Sequence, residues 1–163
     1  MRTILPLIAA ALVLGTGVPS FAAGGGGGGV DQPAAATKPV DPGYAQAKAM
    51  IEAKNYTAAM PLLQQVVAKN PKDADAYTLM GYATRKSGDA NGSLQYYNQA
   101  LGLDPKHIGA HEYIGEAYLM LGRPAEAEQH LARLDSLCVF GCTEYRTLKA
   151  AVANYKAGKK PTN

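Results

Sequence analysis

The chain has 163 residues and a formal charge of only +3, too small and too evenly spread an excess for an electrostatic nucleic-acid binder. Charged residues are 18% of the sequence and apolar ones 47%, with two cysteines and no tryptophan. Those proportions fit one globular domain and exclude a cysteine-rich scaffold.

The N-terminus reads as a targeting segment. Met1 and Arg2 precede an apolar run from Ile4 to Val18, then Pro19 and Ser20-Phe21-Ala22, with small residues at the cleavage positions. This predicts a secretory signal peptide over residues 1–22, cut at Ala22 or Ala23, and an exported protein, periplasmic in a bacterium. The run falls short of the roughly 20 residues of a membrane span. The expectation is therefore no stable membrane insertion after cleavage, with an uncleaved anchor as the alternative. Residues 23–40, with six successive glycines from Gly24 and then VDQPAAATKPV, predict a flexible linker that stiffens toward its prolines. The glycines lack the Lys-Ser/Thr of a phosphate loop.

From residue 40 onward a pattern returns every 34 residues. Pro71, Tyr77, Met80, Gly81 and Gly88 reappear as Pro105, His111, Ile114, Gly115 and Gly122. In the middle copy Tyr77, Met80, Ala83 and Thr84 share one helix face, and Gly88 supplies a left-handed stop. Asp89 then caps a second helix whose buried stripe is Leu94, Tyr97, Ala100 and Leu101. Small residues at Gly81, Ser93 and Ala100 let helix axes approach closely. The same frame puts Ala47, Ala59 and Leu63 in the first copy and Tyr118, Ala127 and Leu131 in the third. Pro124 fits a first helical turn, whereas Pro61 predicts a shifted helix start or a slight kink. Thr143 to Tyr155 carries Leu148, Ala151, Val152 and Tyr155 on one side and reads as a capping helix.

These positions resemble the tetratricopeptide repeat, with mild departures at Thr84 and Ser93, no closing proline in the third copy, and a weak first copy. The resemblance implies an all-α, right-handed α-α solenoid over residues 41–157. It would hold three helix pairs, at about 40–73, 74–107 and 108–141, a capping helix at 143–157 and a basic, disordered tail at 158–163. It also implies no enzymatic activity and a concave face, lined by the first helix of each pair, that binds a protein or peptide. Carried over residue by residue, the candidate contacts are Tyr44 and Lys48; Thr78, Tyr82, Arg85 and Lys86; and Glu112, Glu116 and Leu119. The family's carboxylate clamp needs an Asn that these rows lack. Replacing Tyr82 and Arg85 by Ala is expected to abolish capture with helicity unchanged.

Cys138 and Cys142 stand in a C-x3-C tract where the last pair meets the cap. In an oxidising compartment they read as a disulfide that pins the entry of the cap. Neither the C-x-x-C of a redox pair nor the C-x-x-C-H of haem attachment occurs; bound copper and free thiols are the other readings. His107 and His111 are four apart, the spacing of a zinc half-site, although one sits in a turn and the other on an inward position. His130 has no evident partner. No cofactor and no catalytic constellation is expected. Lys156, Lys159 and Lys160 form a short basic end, read as solvated. Two other functions stay open beside binding: metal or redox handling through Cys138, Cys142 and the histidines, and self-association through the solenoid ends.

Overall fold

The computed structural model describes residues 41–161. The signal peptide expected over 1–22, the linker expected over 23–40 and residues 162–163 of the expected tail lie outside the described residues. Among the described residues seven helices follow one another: α1 (Pro42–Glu52), α2 (Tyr56–Lys69), α3 (Ala74–Lys86), α4 (Ala90–Leu103), α5 (Ile108–Met120), α6 (Pro124–Leu137) and α7 (Thr143–Lys156). There is no strand among the described residues.

Each first helix ends in the same way. A residue at positive φ (Lys54 at 61°, Gly88 at 100°, Gly122 at 72°) turns the chain back. The amide after it reaches the carbonyl five residues earlier: Asn55 N to Met50 O at 2.8 Å, Asp89 N to Thr84 O at 3.2 Å, and Arg123 N to Tyr118 O at 2.9 Å. This Schellman geometry satisfies helix-end carbonyls and sets the antiparallel pair. Side chains cap helix starts: Asp41 accepts from Gly43 N at α1, Asp73 from Ala76 N at α3 and Asp89 from Gly92 N at the second helix α4. Pro61 does not shift its helix, since α2 starts at Tyr56, one period before Ala90 of α4. The helix runs through Pro61, whose missing N–H leaves one carbonyl without its intrahelical bond.

Consecutive helices pack on one another, and α1, α3, α5 and α7 also touch along their own row. Among the described residues α2, α4 and α6 do not touch one another. The odd helices therefore form the inner row and the even helices splay on the outside, as a curved stack requires. Close approach within a pair rests on small residues. A Cβ on Gly81 would meet the ring of fully buried Tyr97 at 2.5 Å. In the third pair the shorter Leu131 replaces that tyrosine, and the space over Gly115 is filled by Leu148 of α7, 2.6 Å from a Cβ built there. Leu148 and Val152 bury against Leu119, Ala127 and Leu134, so α7 covers the last apolar face.

The third pair holds a buried histidine couple. His111 Nε2–H donates to Pro105 O at 3.1 Å, which leaves His111 Nδ1 to accept from His130 Nδ1–H at 2.9 Å. His130 also stacks on Tyr118. The absence of a partner inferred for His130 from its surroundings in sequence is thus corrected: the partner lies 19 residues away, on the facing helix. Burial lowers both imidazoles, His130 to about 4 with His111 beside it; Arg133 and His107 add to the effect on His111, against Pro105 O and Asp104. A proton added at His111 Nδ1 would set N–H against the N–H of His130.

Gly81→Ala should destabilise the fold by about 1–3 kcal/mol in urea denaturation through overpacking on Tyr97. Lys54→Gly should stabilise it by about 1 kcal/mol, because a side chain at positive φ is strained there. A folded pKa below the ordinary histidine value supports stability above pH about 6.5 that is lost as pH falls toward about 4. His130→Phe should remove that acid loss in denaturation midpoints measured across this range.

Candidate functional site

The inner row brings side chains from three helices into one groove. Ile51, Leu79, Tyr56, Tyr82 and Tyr113 line it, with Lys48, Glu52 and Lys54 at its edge. Tyr82 lies at its centre. Its ring centroid is 4.9 Å from Tyr113 and 6.3 Å from Tyr56, and the Lys86 ammonium lies 5.8 Å from it. Helix spacing explains the cluster: Tyr82 on α3 and Tyr113 on α5 are neighbours on adjacent inner helices, and Tyr56 opens α2 beside them. Burial raises the Tyr82 phenol above its ordinary value and takes Tyr113 up to about 12, so both stay neutral hydroxyls.

Beneath these rings sits Arg85, 2% exposed. Its guanidinium is 5.4 Å from the Tyr82 ring and 5.9 Å from Tyr113, and Nη2 pairs with Glu116 at 2.7 Å. Nη1 reaches Met120 Sδ at 3.8 Å. Arg85 Nε and Tyr97 Oη are both buried without a hydrogen-bond partner. Arg85 thus ties α3 to α5 and supports the aromatic floor from below. Replacing it would empty the space the buried guanidinium fills and leave the half-buried Glu116 without its partner, so it should destabilise the fold. The burial of Arg85 bears on the expectation that replacing Tyr82 and Arg85 by Ala leaves helicity unchanged: the Arg85 change is now expected to weaken the fold as well.

The nine candidate contacts separate by burial. Tyr44, Lys48, Tyr82, Lys86 and Glu116 reach the surface; Thr78, Arg85, Glu112 and Leu119 are buried. Thr78 bonds Ala74 O and His107. Leu119 packs in the core under α7. Tyr44 lies apart from Tyr82, in a second recess with Asp41, Asp73, Asp75, Asp104 and His107. Its phenol is raised to about 12 by burial, with Asp75 and Asp73 adding. Tyr113, Tyr56 and Leu79 were not among the sequence candidates. Tyr113 carried a signal: an aromatic one residue past Glu112, on the helix that the frame places inside.

His107 and His111 do not converge. His107 caps α5, its Nδ1 accepting from Ala110 N at 3.0 Å while Nε2–H donates to Asp75 at 2.9 Å. His111 is committed to His130. Cys138 and Cys142 are at bonding distance, Cα atoms 5.4 Å apart, and close a loop before α7. Among the described residues no three His, Cys, Asp or Glu side chains gather as a metal site. Nor is any described helix long and apolar enough to cross a membrane.

Paired helices around an inner binding row define a helical repeat scaffold. The chain matches the tetratricopeptide repeat over residues 44–108 and again over 85–152, and it belongs to that family. Among curated proteins it is 33% identical over 76 residues to Protein O-mannosyl-transferase Tmtc3 of Drosophila melanogaster, covering 47% of this chain and 8% of that one. MamA 41-end from Desulfovibrio magneticus RS-1 superimposes with a TM-score of 0.56 at 28% identity, over 58% of this chain and 54% of that one. PcrH in complex with the chaperone binding region of PopD gives a TM-score of 0.63 at 18% identity, over 71% and 90%. The last likeness is one of fold alone. The chain thus spans a small part of the curated relative and about half of MamA.

Glu112 gives the site a pH signature. Burial raises its carboxyl to about 7, Glu116 and Glu144 add to the effect, and Arg85 opposes it. A raised acid supports stability that is complete below about pH 4.5 and lost as pH rises to about 7, opposite in sign to the histidine couple. Glu112→Gln should therefore be more stable than the parent at pH 8, on the order of 1–2 kcal/mol after screening, and nearly equal to it at pH 4. Urea midpoints at the two pH values check this.

Proposed function

We propose that the chain is an exported, periplasmic interaction scaffold that holds a segment of another protein in the groove between α1, α3 and α5. The observation that carries the reading is the aromatic cluster of Tyr56, Tyr82 and Tyr113, half-buried and open on one side, over a fixed Arg85. Tyrosines in such a place offer large contact area at little entropy cost, with a hydroxyl at the rim. Lys48, Lys54 and Lys86 around the cluster favour a segment whose apolar anchors are flanked by carboxylates. PcrH, of like fold, is seen with a binding region of PopD, in keeping with a groove for a polypeptide. Export rests on the N-terminal sequence pattern, and the closed Cys138–Cys142 pair accords with an oxidising compartment. Metal handling finds no support in the separate commitments of His107, His111 and the cysteines.

Photo-crosslinking in the native cell tests the reading, with the reactive residue at position 82 and a control at exposed Gln129. A discrete protein should be trapped from position 82 alone. Tyr82→Ala should weaken its capture at least about thirtyfold, a loss of about 2 kcal/mol or more, typical of an interface hot spot. Equal labelling from both positions would sink the proposal.

A further inference from the structure

Two features away from the groove meet at the start of α7. The first is an apolar tip. Val139 and Phe140 are the only large apolar side chains among the described residues that stand in the open, 79% and 101% exposed. They occupy a turn closed by Gly141 N to Cys138 O at 2.7 Å, with Gly141 at φ 76°, and the Cys138–Cys142 bridge spans it. A closed loop of this size presents the pair with little freedom left to lose on binding.

The second feature is charge. Residues 143–163 hold five basic residues and one acid, whereas residues 1–142 hold eleven basic and twelve acidic ones. The whole positive balance of the chain thus resides in α7 and the tail behind it. The acid, Glu144, lies near enough to Glu112 to help raise its carboxyl. Arg146 and Lys149 stand exposed on the flank away from Leu148 and Val152. Lys156 is held by Glu128 at 3.0 Å, and Lys159 by Asn154 at 3.2 Å. Arg146 joins the two features: its Nη1 donates to Gly141 O at 3.4 Å, one residue from Phe140.

We infer that the 138–142 loop and α7 form a reversible docking face for an anionic lipid surface. Phe140 and Val139 enter the headgroup boundary, and Arg146, Lys149 and the tail lysines meet the phosphates. A protruding tip suits a fluid phase, which needs no shaped pocket to receive it, and cations of one sign beside it suit anionic headgroups. This is peripheral attachment, different from a spanning helix. It leaves the groove between α1, α3 and α5 free.

Because the natural chain has no tryptophan, Phe140→Trp places a single reporter at the tip. With vesicles of equal parts phosphatidylglycerol and phosphatidylcholine, its emission should shift to the blue at low salt and return as salt is raised to about 0.5 M, where charges are screened. In that background Arg146→Gln and Lys149→Gln should each weaken vesicle binding about fivefold. In the otherwise natural chain, Phe140→Ser should lower the fraction that sediments with the same vesicles, at unchanged far-ultraviolet helicity. The apolar run from Ile4 to Val18 is common to every variant, so the differences report on the loop and α7 alone. An unshifted emission on anionic vesicles overturns the inference, as does an equal shift on pure phosphatidylcholine. A shift given by soluble poly-glutamate without lipid overturns it as well, in favour of an acidic protein partner.

Discussion

The reversal at the end of each first helix governs the rest of the molecule. One residue at positive φ and one amide-to-carbonyl bond bring the second helix back antiparallel, at Lys54, Gly88 and Gly122 alike. Because the reversal repeats at one spacing, every first helix arrives on the same side of the stack. The row they form is the groove. Glycine is the natural residue for that conformation, and the strained Lys54 marks the first pair as the least regular copy. The same reversal closes α7, where Gly158 stands at φ 77° and Lys159 N reaches Asn154 O at 3.0 Å. The capping helix thus ends as a first helix does, yet it packs on α5 more closely than the inner helices pack on one another, with Leu148 seated over Gly115.

What the sequence made legible was whatever is set by spacing along one chain segment. The helix pairs, the stops at Gly88 and Gly122, the cap at Asp89, the proline at the start of α6 and the closure by α7 all follow from local periodicity. Close helix approach at Gly81 and the burial of Tyr97 followed too, each from its place in the recurring unit, although the seat of one over the other did not. Harder to read was anything decided by polar contacts between helices. Arg85 sits on a row that commonly faces water, and only its ion pair with Glu116, on the next inner helix, draws it inside. The couple of His111 with His130 joins two facing helices, and no count along either one reveals it. Tyr113 escaped for a related reason: it reaches the groove because Tyr82 offers a ring for it to pack on.

Polar groups do different work at the two depths of the inner row. Near the surface, Tyr82 and the surrounding lysines stand where the proposed partner would meet them. Below them, Arg85 holds α3 to α5 through Glu116, and Glu112 gives up its charge near neutrality where burial makes charge costly. The groove floor is therefore stiffened by groups that no ligand touches. Stiffness of this kind keeps the aromatic rings in place before a partner arrives, which reduces the ordering cost of binding.

The polar ties between units have a shared property. Asp75 with His107, Thr78 with His107, and Arg85 with Glu116 each join residues about one repeat apart. No such tie asks the chain to close a loop much longer than a single helix pair. The entropy of loop closure is thus met in small, equal steps, and relative contact order stays low. Such a chain can nucleate in any neighbouring pair of repeats and grow outward as a zipper does. The tight middle pair, with Tyr97 seated over Gly81, is the place where that growth begins at least cost, and the strained first pair is where fraying starts.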